Sequence, residues 1–205
     1  MTYTEVGGVS VSRETLNYLQ QYAELLTKWT KRINLVAAAS IPHVWERHIL
    51  DSAQLIVHAP RDARTWVDLG SGGGLPGVVC AILAREIMPD CRFTLIESDQ
   101  RKSAFLMTAA QALDVRIKVL SDRAEQATPQ QADIISARAL APLTQLLPLV
   151  ERHLAKTGVA LLPKGKNHAQ ELAAARQEWQ FDVTSHPSLT DPLARLLVIK
   201  EIRRV

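Results

Sequence analysis

The chain holds only two cysteines, Cys80 and Cys91, in 205 residues. Two thiols make no disulfide framework, and they lack the short paired spacing of a zinc site. Cys80 sits in an apolar helix-like run and Cys91 just ahead of a strand-like one, so both are expected buried and reduced. The histidines His43, His58, His153, His168 and His186 are scattered and point to no metal. No apolar run reaches the ~18 residues of a membrane span. The opening MTYTEVGGVSVSRET has neither a basic n-region nor an apolar h-region, so it does not read as a signal peptide, and a cytoplasmic location is expected. There is no internal repeat and no low-complexity tract. No exposed heptad calls for a partner helix, so a monomer is expected. The net charge of +3 is compatible with an anionic partner without demanding one. A chain of this length buries roughly 70% of its unfolded surface, enough for a core without staples.

What is present divides near residues 58–64. Leu16, Leu19, Tyr22, Ala23, Leu26, Trp29 and Ile33 recur at spacings of three and four, which predicts a helix over residues 12–36 capped by Ser12. VWERHILDSAQLIV (44–57) predicts a second amphipathic helix, between a break at Pro42 and an end near Pro60. Strand-like and helix-like runs then alternate. TWVDLG, FTLIES, RIKVLSDRAE, ADIISARAL and GVALLPKG read as strands with helices between them. FDVTSHPSL and ARLLVIKEI close the chain without a helix between them. The pattern predicts an α/β fold with a mostly parallel seven-stranded sheet and an antiparallel C-terminal edge hairpin, plus N-terminal helices. It implies a helical appendage over residues 1–60 and a core over 61–205.

WVDLGSGGGLPG (66–77) holds five of the nine glycines. Gly70, Gly72 and Gly74 follow a strand and open a helix, where a doubly wound sheet brings a nucleotide-like ligand against backbone. A dinucleotide loop cradles a pyrophosphate at the helix N-terminus. Asp68, at the carboxyl end of the strand, would repel that group and attract a cation such as the amino group of S-adenosylmethionine. Glu97, 23 residues beyond Gly74, suits two ribose hydroxyls. SDRAEQ (121–126) follows the third strand, and either Asp122 or the backbone of Arg123, Ala124 and Glu125 would meet an adenine edge; a solvated turn is an equal reading. Ser71 lies within the loop and has no histidine partner, so serine nucleophile chemistry is discounted. NAD-linked oxidoreduction would need a donor or acid near the nicotinamide, and none is evident. A non-catalytic RNA-binding module and a small-molecule methyltransferase remain open.

VDLGSGGGLPG resembles the first motif of class I methyltransferases, which have a Rossmann-like fold. Together with NLV (34–36), ERHILDS (46–52), DRAE (122–125), SARAL (136–140) and PKGK (163–166), it resembles the RsmG (GidB) family, over about residues 15–200. These are bacterial enzymes that methylate N7 of one guanosine in 16S ribosomal RNA. The resemblance implies S-adenosylmethionine as cofactor and 16S ribosomal RNA, free or within the small subunit, as partner. It implies that Asp68, Gly70, Gly72 and Gly74 contact the methionine half, that Glu97 holds the ribose, and that Arg123, Ala124 and Glu125 frame the adenine. Arg138 is implied at the mouth of the site as the catalytic residue, near cofactor and target. Lys164 and Arg195 are implied to face RNA. Asn34, Arg47, His48, Asp51 and Ser52 are implied to place the appendage over the pocket, with Asn34, Arg47 and His48 toward RNA. Val36 and Leu140 depart from the usual family residues. N7 carries a lone pair and no proton, so no general base is required. A basic surface is expected among Lys28, Lys31, Arg32, Arg47, Arg101, Lys102, Arg138, Lys164, Lys166 and Arg195. A His48–Asp51 contact at i, i+3 is geometrically available.

Overall fold

A computed structural model describes residues 4–205; Met1, Thr2 and Tyr3 of the predicted appendage and leader reading lie outside the described residues. The chain opens with a hairpin absent from the sequence expectation, β1 (Thr4–Val6) and β2 (Val9–Val11). Gly7 and Gly8 take positive φ at its turn, the conformation a two-residue hairpin loop requires.

Helix α1 (Arg13–Thr30) starts where the cap predicts, with the Ser12 hydroxyl accepting from the Thr15 amide. It stops six residues short of the predicted end although the apolar stripe runs on to Ile33. The Thr30 hydroxyl bonds back to the Leu26 carbonyl at 2.7 Å, and the chain then turns to lay Leu35 on Gly73. The second predicted helix is real as helical coil but not as one α-helix. Residues Ala38–His43 form a 3-10 turn that contains Pro42, Trp45–Leu50 a π turn, α2 only Asp51–Ala53, and Gln54–His58 another 3-10 turn. Pro42 is therefore absorbed rather than acting as a break.

The remainder is a three-layer α/β sandwich. In chain order it runs β3 (Thr65–Leu69), α3 (Gly77–Ile87), β4 (Arg92–Ile96), α4 (Gln100–Ala112), β5 (Ile117–Leu120) and β6 (Ala132–Ser136). It continues through α5 (Leu143–His153), β7 (Leu154–Lys164), α6 (His168–Ala175), β8 (Trp179–Pro187) and β9 (Arg195–Arg204). The seven-stranded sheet has the order β5-β4-β3-β6-β7-β9-β8. Strands β3 to β7 are parallel, and β9 runs antiparallel between β7 and β8, as the closing strand pair predicts.

Alternation along each strand divides the core. Trp66, Phe93, Leu95 and Ile134 face a layer made of the N-terminal segments, α3 and α4. Val67, Leu69, Ile96 and Ile135 face α5 and its neighbours. Residues of β1, β2, α1 and the coil at 49–56 share one buried cluster with α3 and α4. Strand order reverses between β3 and β6, which opens a crevice at their carboxyl ends. Cys80 is buried as expected, whereas Cys91 is only half-buried, at the turn ahead of β4; burial still pushes its thiol up to about 12. No helix among the described residues is long and apolar enough to cross a membrane.

Candidate functional site

Asp68, the last residue but one of β3, stands opposite Ser136 of β6, on the side facing α3. Its carboxylate is 1% exposed. Oδ1 accepts from the Ser136 hydroxyl at 2.6 Å, and Ser136 in turn accepts from the Trp66 indole N–H at 2.8 Å. Oδ2 accepts from the Gly77 amide, the first of α3, at 3.3 Å. Gly77 is required here because a Cβ would stand 2.8 Å from Oδ2. Burial pushes the Asp68 carboxyl up to about 6, against the opposing pull of its hydrogen bonds and of Arg138. The carboxylate thus fills the positive end of α3, the place where a dinucleotide site would hold pyrophosphate.

The glycine loop that follows is joined to the second predicted carboxylate. Gly70, Gly72 and Gly74 all have positive φ. Glu97, just past the end of β4, accepts from the Gly72 amide at 2.7 Å and from the Asp99 amide at 2.8 Å. A carboxylate has about four lone-pair sites, so two stay free for hydroxyl donors. A Cβ on Gly72 would meet open space, with only the Gly70 carbonyl oxygen 3.9 Å away. The loop is therefore bare toward the crevice at that residue. Its other side is anchored: the buried Tyr22 hydroxyl donates to the Gly73 carbonyl, and the Ser71 hydroxyl donates to the Asp68 carbonyl at 3.0 Å. Ser71 thus serves as a hydrogen-bonding prop of the loop.

The DRAE turn follows β5 at the same end of the sheet. Ala124 is buried, and Arg123 and Glu125 are exposed. The buried His153 of α5 donates from Nε2 to the Ala124 carbonyl at 2.8 Å, while the Arg152 guanidinium donates to the Ala127 carbonyl at 3.0 Å. The turn is fixed from within: the Arg123 amide and carbonyl and the Ala124 carbonyl are engaged, and the Ala124 and Glu125 amides make no hydrogen bond among the described residues. Asp122 is spent locally, accepting from the Arg123 amide.

Arg138, two residues past β6, reaches the helical layer. Nη1 donates to the Asp51 carboxylate at 2.8 Å and to the Arg47 carbonyl at 3.1 Å, and Nη2 donates to His48 Nδ1 at 2.9 Å. A guanidinium has no acceptor, so Nδ1 must be unprotonated. Burial, Arg138 and Arg47 together push His48 down to about 4, and its one proton sits on Nε2, facing the Ser40 hydroxyl at 2.7 Å. Ser40 passes its own proton toward the Ala37 carbonyl at 2.6 Å. The i, i+3 contact between His48 and Asp51 does not form; the two residues meet at Arg138 instead. Asp51 also accepts from Thr190 at 3.0 Å, which ties in the loop before β9.

Arg47, His48, Asp51, Arg138, Lys164 and Thr190 line one side-by-side cavity of about 930 Å³. Leu140 leans from this cavity over Gly70, so cavity and glycine loop adjoin. Two of the predicted RNA-facing cations are internally engaged. Lys164 bonds the Ala141 carbonyl and the Glu171 carboxylate, each at 2.8 Å, with its side chain 9% exposed. Arg195 caps its own loop through the Pro192 and Ala194 carbonyls. Asn34 is exposed and lies away from this cavity, in a groove with Lys31, Arg32, Arg101 and Lys102. Ser52 is fully buried. The sequence reasoning missed Tyr22, Ser136, Ser40 and His153, whose roles depend on partners 8 to 68 positions away and leave no local signal.

The family model described as GidB, rRNA small subunit methyltransferase G, matches residues 15–197. A ribosomal RNA small subunit methyltransferase G from Cereibacter sphaeroides is 52% identical, over 96% of this chain and 95% of its own length. The protein of the same name from Ruegeria pomeroyi is 48% identical over the whole of both chains. The solved structure of a predicted O-methyltransferase from Agrobacterium tumefaciens aligns with a TM-score of 0.56 at 21% identity, over 73% of this chain and 79% of that one. A TehB-like SAM-dependent methyltransferase from Corynebacterium glutamicum aligns with a TM-score of 0.56 at 16% identity, over 90% and 98%. These structures share the fold.

Proposed function

The chain belongs to the rRNA small subunit methyltransferase G (GidB) family, and from that premise we propose that it transfers a methyl group from S-adenosylmethionine to N7 of one guanosine in 16S ribosomal RNA. The observation that carries this reading is Asp68 Oδ2 on the Gly77 amide. An anion already occupies the helix N-terminus that a pyrophosphate would need, so the site suits a cationic ligand.

When bound, S-adenosylmethionine supplies a methyl group on a positively charged sulfur, which departs as a neutral thioether. The donor set fits it. Asp68 offers a buried negative field for its cationic half, and the positive-φ loop at Gly70, Gly72 and Gly74 gives close backbone approach. Glu97 keeps lone pairs for two ribose hydroxyls. The turn at Arg123, Ala124 and Glu125 frames the adenine. Leu140 leans over Gly70 and brings one apolar side chain to the edge of the loop.

Guanine N7 presents an in-plane lone pair, so the protein's task is alignment, a contribution of up to ~7–11 kcal/mol in well-oriented cases. Arg138 acts at the mouth, where its three hydrogen bonds hold the π turn with Arg47 and His48 over the cavity. N7 is unreachable in the deep groove of an A-form helix, so the target must be unpaired or splayed out at a few kcal/mol. Arg47 and Asn34 are the exposed members of the predicted RNA-facing set; Lys164 and Arg195 support the walls of the cavity. The described part of residues 1–60 serves as a cap on a methyltransferase core over 61–205. The enzyme acts as a cytoplasmic monomer on the small-subunit RNA, naked or assembled.

The test is transfer of labelled methyl from S-adenosylmethionine into naked 16S RNA and into small subunits from cells lacking this gene. Label at guanine N7 of 16S RNA is the expected result. Cofactor binding with no label in any RNA would move the substrate to a protein or metabolite.

A further inference from the structure

We propose that the groove between the end of α1 and the start of α4 is a second RNA contact, a binding track for the phosphate backbone beside the target nucleotide. The inference rests on the RNA methyltransferase reading above and adds a surface to it.

Thr30, Lys31, Arg32, Ile33 and Asn34 form one wall of this groove, and Asp99, Arg101 and Lys102 the other; its volume is about 360 Å³. Four cations thus face a space bounded by a single carboxylate. That carboxylate is committed: Asp99 caps α4 by accepting from the Arg101 and Lys102 amides at 2.8 and 3.2 Å. Its one ion pair, with Arg101, is long at 3.4 Å and mostly exposed. Among the described residues the Lys31, Arg32 and Lys102 side chains form no hydrogen bond or ion pair. This contrasts with Lys164 and Arg138, whose charges are spent on Glu171 and Asp51.

Both walls are fastened to the glycine loop. The α4 wall begins two residues after Glu97, which bonds the Asp99 amide and the Gly72 amide together. The α1 wall ends in Leu35, which packs on Gly73. Both walls are therefore tied to the loop and carboxylate that would hold the ribose. S-adenosylmethionine carries no phosphate and a single carboxylate, at its methionine end, so four cations beside the ribose-holding residues exceed what it could use. A polyanion that enters the crevice to present one base must run its backbone past the rim, and this rim supplies the counter-charge. Lys28, one turn back on α1, extends the track.

The experiment uses the full-length protein with Lys31→Gln, Arg32→Gln, Arg101→Gln and Lys102→Gln combined, and each wall's pair separately in case the combined variant is unstable. A control carries Arg176→Gln and Arg203→Gln, at the opposite end of the sheet. Affinity for naked 16S RNA is measured against salt, alongside S-adenosylmethionine affinity and methylation kinetics. If all four cations meet phosphates, the slope of log affinity against log salt becomes shallower by about 3, each single-strand phosphate contact contributing ~0.7. KM for RNA rises at least ~10-fold, with kcat at saturating RNA and cofactor affinity near wild type. An unchanged slope and KM, or a change no larger than the control's, overturns the proposal. Normal binding to naked RNA with methylation lost only on assembled subunits would place the groove against protein and overturn it too. Wild-type protein that binds RNA through the groove yet methylates none would sink the methylation reading and leave the groove standing. Wild type that neither binds nor methylates the RNA, whether naked or in small subunits, overturns both.

Discussion

The Arg138 guanidinium donates to the Asp51 carboxylate at 2.8 Å across 87 positions of the chain. Both side chains are largely withdrawn from water, at 17% and 18% exposure. This pair joins the loop after β6 to the helical layer beside the crevice, so the two cannot shift independently.

Replacing Arg138 tests that coupling. Arg138→Ala is expected to lower methyl transfer at saturating cofactor by about 100-fold, the effect of a misplaced wall. The cost in stability is smaller, about 1–3 kcal/mol, because Asp51 keeps Thr190 and Gln54 as partners. Arg138→Lys should not restore turnover, since an ammonium cannot serve three acceptors in a planar fork. Single-turnover kinetics and urea unfolding check this; a fully active lysine variant would remove the clamp from the account.

His48 makes the same clamp sensitive to acid. Its folded pKa is lowered from 6.5 to about 4, so the unfolded chain takes up the proton first. Its contribution is complete above pH 6.5 and is lost as pH falls toward 4. After allowance for its partial exposure, the loss is about 2 kcal/mol. His48→Gln should flatten this part of the stability–pH curve. An unchanged curve in that window would show that the imidazole is not held neutral by burial and Arg138.

Asp68 has the opposite sign. Its folded pKa is raised from 3.8 to about 6, so the ionised carboxylate costs stability increasingly as pH rises from 3.8 through 6. A cationic ligand favours the ionised form. Affinity for S-adenosylmethionine is therefore expected to rise with pH up to about 7, by at most ~10-fold per unit below pH 6, with proton release on binding. Asp68→Asn should bind weakly at every pH and show no such release, without a large loss of stability at pH 8. Calorimetry in buffers of different ionisation heat measures this. A pH-independent affinity between 5 and 7 would detach Asp68 from cofactor binding.

Gly72 and Gly74 separate ligand space from packing. A Cβ on Gly72 meets nothing nearby, so Gly72→Ala pays only for its left-handed backbone, roughly 1–2 kcal/mol. Cofactor affinity should nonetheless fall at least ~10-fold, because the methyl group enters the crevice. A Cβ on Gly74 would lie 2.5 Å from Val78 and 2.9 Å from the Tyr22 hydroxyl, so Gly74→Ala should unfold the loop first. Equal cofactor affinity in Gly72→Ala and wild type would mean that the bare face of the loop is not ligand space.

Much of the architecture is determined by the sequence alone. Seven strand-like runs, their helices and the final hairpin are encoded in local periodicity and turn chemistry, which need no distant partner. The same holds for the glycine loop with Asp68 and Glu97, since a strand, a turn and a helix in succession place those groups at one end of a parallel sheet. Tertiary structure decided the rest. The apolar stripe of α1 runs to Ile33, yet the helix stops at Thr30 because Leu35 must reach Gly73. Lys164 and Arg195 read as RNA-facing cations, but contacts with Glu171 and the loop before β9 turn their charges inward. Lys31, Arg32, Arg101 and Lys102 belong to the basic surface expected from the sequence, where they are two separate pairs; the fold makes them one groove. A charge's role depends on which groups share its surroundings, and distant parts of the chain, such as the end of α1 and the start of α4, become neighbours only through the fold.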